Sequence, residues 1–305
     1  MLKLYYEGTD MTGYVNIARC VYREASVGRA DSLEIEADHA AQWAKWKPKR
    51  DDVIVAERDG YSTGKLYLNS VIPEGESYRI IATSLPSAAH RRAWQFFKEE
   101  RLSDIMHRCA VECGMDARLY GLDGDYKYAY MLRKDEGCAA FLDRIGRLEG
   151  LAVKAKNGMI RGISVPWAQQ RDPSARLWID TNQPDVRHTV KQAERLSSVT
   201  VIAPGISATA LDGLGDTRNY LVIALPVSNT AQAGRWARGK LLMENRKTEQ
   251  IEIRSAFNAA MRAMVRVDIE GNTQAAGQWI VDGVEQDLIE GYTSTTMFRC
   301  VETVE

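Results

Sequence analysis

Apolar and polar residues alternate in SLEIEA, where Leu33, Ile35 and Ala37 stand against Ser32, Glu34 and Glu36. A period of two predicts a strand with one buried face. DDVIVAERDGYSTGKLYLNSVI reads as strand, turn and strand, with Gly60 and Gly64 bracketing the turn, and ESYRIIATSL supplies another strand. The period then changes. In RLSDIMHRCAVECG the apolar positions Leu102, Ile105, Met106, Cys109, Ala110 and Cys113 fall three and four apart, one stripe of a helix that Gly114 would stop. KDEGCAAFLDRIGRLEG predicts a second helix, with Asp135 as N-cap, Cys138, Phe141, Ile145 and Leu148 on one face, and Gly150 at its end. Two hairpins are expected nearby, one with arms around GLDGD in ARLYGLDGDYKYAYML and one around Asn157-Gly158 in LAVKAKNGMIRGISV. The last third returns to strands. SVTVIAPG and NYLVIALPV are short apolar runs, with LDGLGDTRN as a loop between them. Ser228 is then expected to cap a helix carrying Ala233, Trp236, Ala237 and Leu241 on one face. EQIEIR, AMVRVDIEG, GQWIVDGVEQDL and GYTSTTMFRC complete a strand-rich end.

The pattern thus predicts an α+β, mainly β chain in three parts: strands over 1–88, a small α+β unit over 89–165, and strands over 166–305 with one helix near 228–245. The two β parts share an octamer. GKLYLNSV at 64–71 aligns without a gap with GQWIVDGV at 277–284. It places Gly64 with Gly277 and Leu68 with Val281. Eight-residue strand patterns also recur by chance in β proteins, so the position of the octamer near the end of each β part matters as much as its letters.

Composition narrows the function classes. The 305 residues, 45% of them hydrophobic, suffice for one large domain or two to three smaller ones. Lys plus Arg is 40 and Asp plus Glu is 41, a net charge of −1, which argues against a general nucleic-acid binder. No run of 18 apolar residues is present, so no membrane-spanning helix is expected. MLKLYYEGTDMTG lacks the apolar stretch and cleavage site of a signal peptide, which points to synthesis and retention in a cytosol. Cys20, Cys109, Cys113, Cys138 and Cys300 form no even framework and read as reduced, buried apolar residues.

Candidate chemistry is thin. GYSTG fits G-x-S-x-G, but a nucleophile elbow needs a buried strand before Ser62 and a helix after it. Here AERD precedes and a strand follows, so a hairpin turn is the simpler reading. Of His39, His90, His107 and His188, only two lie in or near the second half, and neither of those sits in the context of a catalytic loop. His107, Cys109 and Cys113 suggest a metal, but the two cysteines share a helix face that His107 does not, and no second ligand pair follows. Asp123 and Asp125 lack the rest of a calcium loop, and LDGLGD lacks the Lys-Ser/Thr of a phosphate loop. Trp236 and Trp279 fall at core positions. Trp43 and Trp46, in the basic stretch QWAKWKPKRDD, read either as half-buried rings or as a protein-contact patch. No catalytic, cofactor-binding or metal residue is assigned.

The order of these pieces resembles that of the baseplate hub proteins of tailed bacteriophages and related contractile particles, the late control protein D family, including the hubs of Gram-positive prophages and R-type bacteriocins. The likeness spans nearly the whole chain. ADSLEIEA through IATSL looks like the family's first β-barrel, and RLSDIMHRCAVECGM like the helix after it. YMLRKDEGCAAFLDRIGRLEGLAVKAKNGMI is the most specific part. SNTAQAGRWARGKLL resembles the late helix, and GQWIVDGVEQDLIEGYTSTTMFRC the closing strands with their Gly291-Tyr292-Thr293 step. Gln286 stands near the place where many members have a His, a minor departure. The resemblance implies two similar β-barrels, at 1–88 and 166–305, with the α+β unit at 89–165 inserted. It implies a non-enzymatic homotrimer, without cofactor, in the baseplate of a virion or tail-like particle assembled in the bacterial host cytoplasm. Its implied partners are the central spike protein, the tail tube or distal tube-initiator protein, the tape-measure protein and baseplate wedge proteins, with DNA only as passing cargo and no membrane. Three chains with two barrels each would present six similar barrels, matching a sixfold tube to a threefold spike.

Two other classes compete. A cell-wall hydrolase of the same particle would need paired carboxylates in a cleft, or a metal or Cys-His site, and none stands out. A carbohydrate-binding module could use exposed tryptophans, and glycan titration together with the absence of stable oligomers would mark it.

Overall fold

The computed structural model describes residues 1–38, 45–122, 126–180, 185–213 and 219–300. His39, Trp43, Asp123, Asp125 and part of LDGLGD lie outside the described residues. The fold is α+β and mainly β, as the alternation predicts. The two β parts are not separate sheets. Among the described residues they merge into one fourteen-stranded sheet. The link is the strand Gly277–Asp287, whose second half pairs antiparallel with Asn16–Ala25, Gly283 opposite Ala25 and Asp287 opposite Val21.

The same strand order appears on each side of this link. In the first module Asn16–Ala25 is followed across the sheet by Ser32–Asp38, Ser77–Thr83, Leu66–Glu74, Val53–Arg58 and Leu2–Tyr6. In the second, Val186–Val190 is followed by Glu249–Ala256, Tyr292–Arg299, Gly277–Asp287, Arg266–Glu270 and Ala175–Trp178. The last strand breaks the likeness. It pairs antiparallel in the first module and parallel in the second.

The octamer is the register mark of this duplication. Leu66 and Trp279, and Leu68 and Val281, are buried at equivalent points. A β-bulge follows Leu68 and another follows Val281, so Asn69 and Asp282 are the extra residues at matching places. The neighbouring strand is fastened in the same way. The N–H of Asp51 donates to the Leu68 carbonyl, and that of Met264 to the Val281 carbonyl, each at 2.8 Å. The return bonds run from Leu68 N–H to Asp52 and from Val281 N–H to Val265, at 2.8 and 3.0 Å. Asp51 and Met264 both adopt a left-handed backbone, with φ of 71° and 69°. Non-glycine residues rarely do so, and its recurrence at matching places binds the two modules to one plan.

Each module has a core, Leu33, Ile35, Ile54, Leu68 and Ile80 in the first and Ile251, Val267, Trp279, Val281 and Met297 in the second, and Leu288 of the second part is buried in the first core. The middle unit has helices α1 (Leu102–Glu112), α2 (Cys138–Leu148), α3 (Val165–Gln170) and α4 (Thr230–Asn245) around it. Its core draws on both sides of the expected boundary at 165. Phe97, Ile105, Phe141 and Ile145 pack with Val199, Val201, Trp236 and Leu241. The sheet of Ser198–Ala203, Ile206–Leu211 and Tyr220–Ala224, with α4, therefore shares the core of the middle unit rather than that of the second module's strands.

Three local expectations are corrected. The arms around GLDGD do not pair with each other. Asp116–Tyr120 runs parallel to Met159–Ser164, and Lys127–Glu136 pairs with Ala93–Arg101. The turn signal is local, whereas pairing follows which faces can be buried, and AWQFFKEER shows no clean period to announce its strand. Asp135 is not the N-cap of α2. It has φ of 47°, and Gly137 holds the cap position without a side-chain bond. The cap of α4 is Asn229, whose side chain accepts from Gln232 N–H at 2.9 Å, while Ser228 N–H donates to the Gln232 side chain. The Asn157-Gly158 hairpin forms as expected, with φ of 51° and 74° at its two central residues.

Candidate assembly surfaces

The suspected catalytic and metal residues do not converge. Ser62 lies in the short strand Tyr61–Ser62, its hydroxyl accepting from Gly64 N–H at 3.2 Å and its carbonyl from Arg262 at 3.1 Å. His188 Nε2 is 3.0 Å from Glu249, and its ring meets Trp279 edge-on. His107 is exposed on α1, while Cys109 and Cys113 face the core. Cys138 joins these two cysteines from α2, its thiol 3.1 Å from Glu112. Hydrogen bonds from Cys109 and Cys113 lower Cys138 below the ordinary thiol range and raise the other two. All three are buried, which keeps this cluster from reagents. Among the described residues no group of three His, Cys, Asp or Glu side chains could hold a metal ion, and no helix is long and apolar enough to cross a membrane.

A buried ionic cluster joins the middle unit to the first module. Glu24 comes from Asn16–Ala25, and Lys154 and Lys156 from Leu151–Lys156. Lys154 bonds Glu24, with side chains only 4% and 3% exposed, and lies 3.6 Å from Asp31. Lys156 donates to the Tyr22 hydroxyl at 2.7 Å and reaches Glu24 at 3.3 Å, while Tyr22 donates to Asp31 at 2.8 Å. Burial opposes the charge on Glu24, but Lys154 and Lys156 outweigh it and hold Glu24 below the usual carboxylate range. Burial raises Asp31 and pushes Lys156 down to about 8 against the pull of Glu24 and Asp31. Sequence alone did not reveal this. Lys154 and Lys156 are more than a hundred positions from Glu24, and lysines in a strand ordinarily face water. Beside the cluster, Arg161, Trp167 and Arg262 complete the wall of a cavity of about 270 Å³. The arrangement pairs its charges internally and ties Leu151–Lys156 of the middle unit to Asn16–Ala25 of the first module.

The outer surface has a different character. On the ribbon of Ala93–Arg101 and Lys127–Glu136, Trp94 is 65% and Phe96 57% exposed, and Leu132 lies opposite Phe96. The outer face of the 198–224 sheet shows Ile202, Leu211, Tyr220 and Val222. Clustered apolar side chains of this kind mark contact surfaces more often than solvent faces. Trp46 instead packs on the first module's core.

No protein-family model and no curated protein matches the sequence. Solved structures do match. A prophage MuSo2 43 kDa tail protein from Shewanella oneidensis superposes with a TM-score of 0.75 at 12% identity, over 100% of this chain and 99% of that one. A tail protein from Neisseria meningitidis MC58 gives 0.75 at 11% identity, over 98% and 96%. An Escherichia coli type VI secretion system component, described as structurally similar to T4 bacteriophage tail proteins gp27 and gp5, gives 0.62 at 10% identity, over 98% and 77%. From its first strand to its last, the chain has the fold of phage tail hub-like proteins.

Proposed function

We propose that this protein is the baseplate hub of a phage tail or phage-tail-like particle, a homotrimer that adapts a sixfold tail tube to a threefold central spike. The observation that carries this reading is the duplication within one chain. Two modules share strand order, bulge, left-handed residue and cross-strand bonds. A threefold assembly of such chains presents six near-equivalent modules, which a monomeric enzyme or binding module has no need of. The likeness in fold to tail proteins over the full chain supports the same reading. In it the chain performs no chemistry. The exposed apolar ribbon and the outer 198–224 sheet meet other tail components, such as tube, spike, tape-measure or wedge proteins, and DNA passes through without being held.

Light scattering of the purified protein at micromolar concentration tests the proposal. The expected mass is three times 34.2 kDa, either alone or on co-expression with the spike protein of the same particle. A mass of 34.2 kDa under both conditions would overturn it.

A further inference from the structure

The link between the two modules is itself half of a repeating pattern. Residues 283–287 pair with 21–25 inside the chain. The octamer makes 283–287 equivalent to 70–74. The register of the next strands makes 186–190 equivalent to 20–24, because His188 lies opposite Ile251 as Tyr22 lies opposite Leu33. Among the described residues, 70–74 and 186–190 each have a strand neighbour on one side only. The first module thus carries a free copy of one half of the link, and the second module a free copy of the other.

Burial reports the missing neighbour. Cys20, Val21 and Tyr22 are wholly buried, whereas Val186, Arg187 and His188 are not. Val284, Gln286 and Asp287 are buried, whereas Pro73 and Glu74 are exposed. Ile72 is 39% and Val190 47% exposed, apolar side chains on both free edges. The backbone parity also agrees. Leu288 N–H donates to Cys20 and Ser26 N–H to Asp282, so even-numbered residues of the closing strand face the link, and Val71 and Pro73 occupy the same outward places. Lys191 N–H donates to Thr248 and Arg254 N–H to Asp185, which leaves His188 and Val190 facing out.

We infer that the edge 70–74 of one copy pairs antiparallel with the edge 186–190 of the next, repeating between chains the link that 283–287 and 21–25 make within one. This rests on the trimer proposed above and names the surface that closes it. The register follows from the equivalence. Val71 falls opposite Val190 of the next copy, Ile72 opposite Thr189, Pro73 opposite His188, and Glu74 opposite Arg187. The charges are complementary and the apolar residues meet. Pro73 has no N–H to give where Gln286 has one, so this rung is weaker than its internal counterpart. Proline on an edge also guards an unassembled strand against indiscriminate pairing. The contact is heterologous, with different edges on its two sides, and such contacts generate rings when the rotation closes.

Cysteine pairing tests the register in the full chain. In a Cys300→Ser background, Ile72→Cys together with Thr189→Cys places thiols across a non-hydrogen-bonded pair, where Cα atoms approach to about 4.5 Å. Mild oxidation is expected to give a covalent trimer on non-reducing gels, which neither single cysteine variant gives. As a second measurement, Glu74→Arg or Arg187→Glu alone should weaken self-association by roughly tenfold, and the double reversal should restore it. A trimer by light scattering whose double-cysteine variant forms no more cross-link than the singles overturns this inference and leaves the hub reading standing. A monomer, alone and with the spike protein, without cross-link overturns both.

Discussion

Lys156 is a buried charge whose cost can be read in solution. Burial pushes its pKa down to about 8 from the ordinary 10.5. Because the folded value lies below the unfolded one, the unfolded chain holds a proton between those limits that the folded chain has released. Stability from this group therefore rises with pH across that window. From pH 7.5 to pH 10 the gain amounts to about 2 kcal/mol. Lys156→Met should remove it. Urea unfolding at pH 7.5, 9 and 10 is expected to show the wild type gaining on the variant by that amount, and parallel curves would refute the assignment. Nothing in LAVKAKNG announced this, since an alternating Lys reads as the wet face of a strand. The helix caps were legible only to within a residue or two. Polar side chains cluster at helix starts, and Asn229 rather than Ser228 was selected by the geometry of one bond to Gln232.

Between elements, close approach matters more than propensity. Gly239 lies inside α4, where alanine would ordinarily stabilise a helix by about 1 kcal/mol. Yet a Cβ there would stand 2.1 Å from the Leu148 carbonyl oxygen and 2.5 Å from the Gly150 nitrogen. Both are backbone atoms at the end of α2, and Gly150 itself needs φ of 69°, so neither can withdraw. Gly239→Ala is expected to destabilise the protein by about 1–3 kcal/mol, the range for overpacking, as a lower urea midpoint with unchanged slope. A stabilised variant would mean that α2 and α4 do not cross here. At this scale the sequence was most informative where period and punctuation agreed, as in α1, α2 and the Asn157-Gly158 hairpin. It failed for the arms around GLDGD, because a turn signal says that the chain reverses and not which strand each arm will join.

Over the whole molecule, the octamer was legible as a repeat, but the sheet that joins its two copies was not, since pairing between 21–25 and 283–287 spans nearly the full chain. That link has a thermodynamic consequence. Two modules connected only by chain would unfold independently, whereas modules sharing a sheet and the Arg23–Glu285 ion pair at 2.7 Å should unfold together. Tryptophan fluorescence, with Trp46 against the first module's core, Trp236 in that of the middle unit and Trp279 in that of the second module, and far-ultraviolet circular dichroism are expected to report one coincident urea transition. Val284→Pro tests the cause. Val284 presents its N–H to strand Asn16–Ala25, so proline removes a rung of the link and leaves the hairpin bonds of 277–299 in place. The variant is expected to unfold in two steps separated by roughly 1 M urea. A single transition that merely shifts would show that the cores, not the shared sheet, couple the modules. If the internal link carries the coupling, the equivalent edges 70–74 and 186–190 are fitted to carry the same coupling between chains, because a strand pair is indifferent to whether its two halves belong to one chain or two.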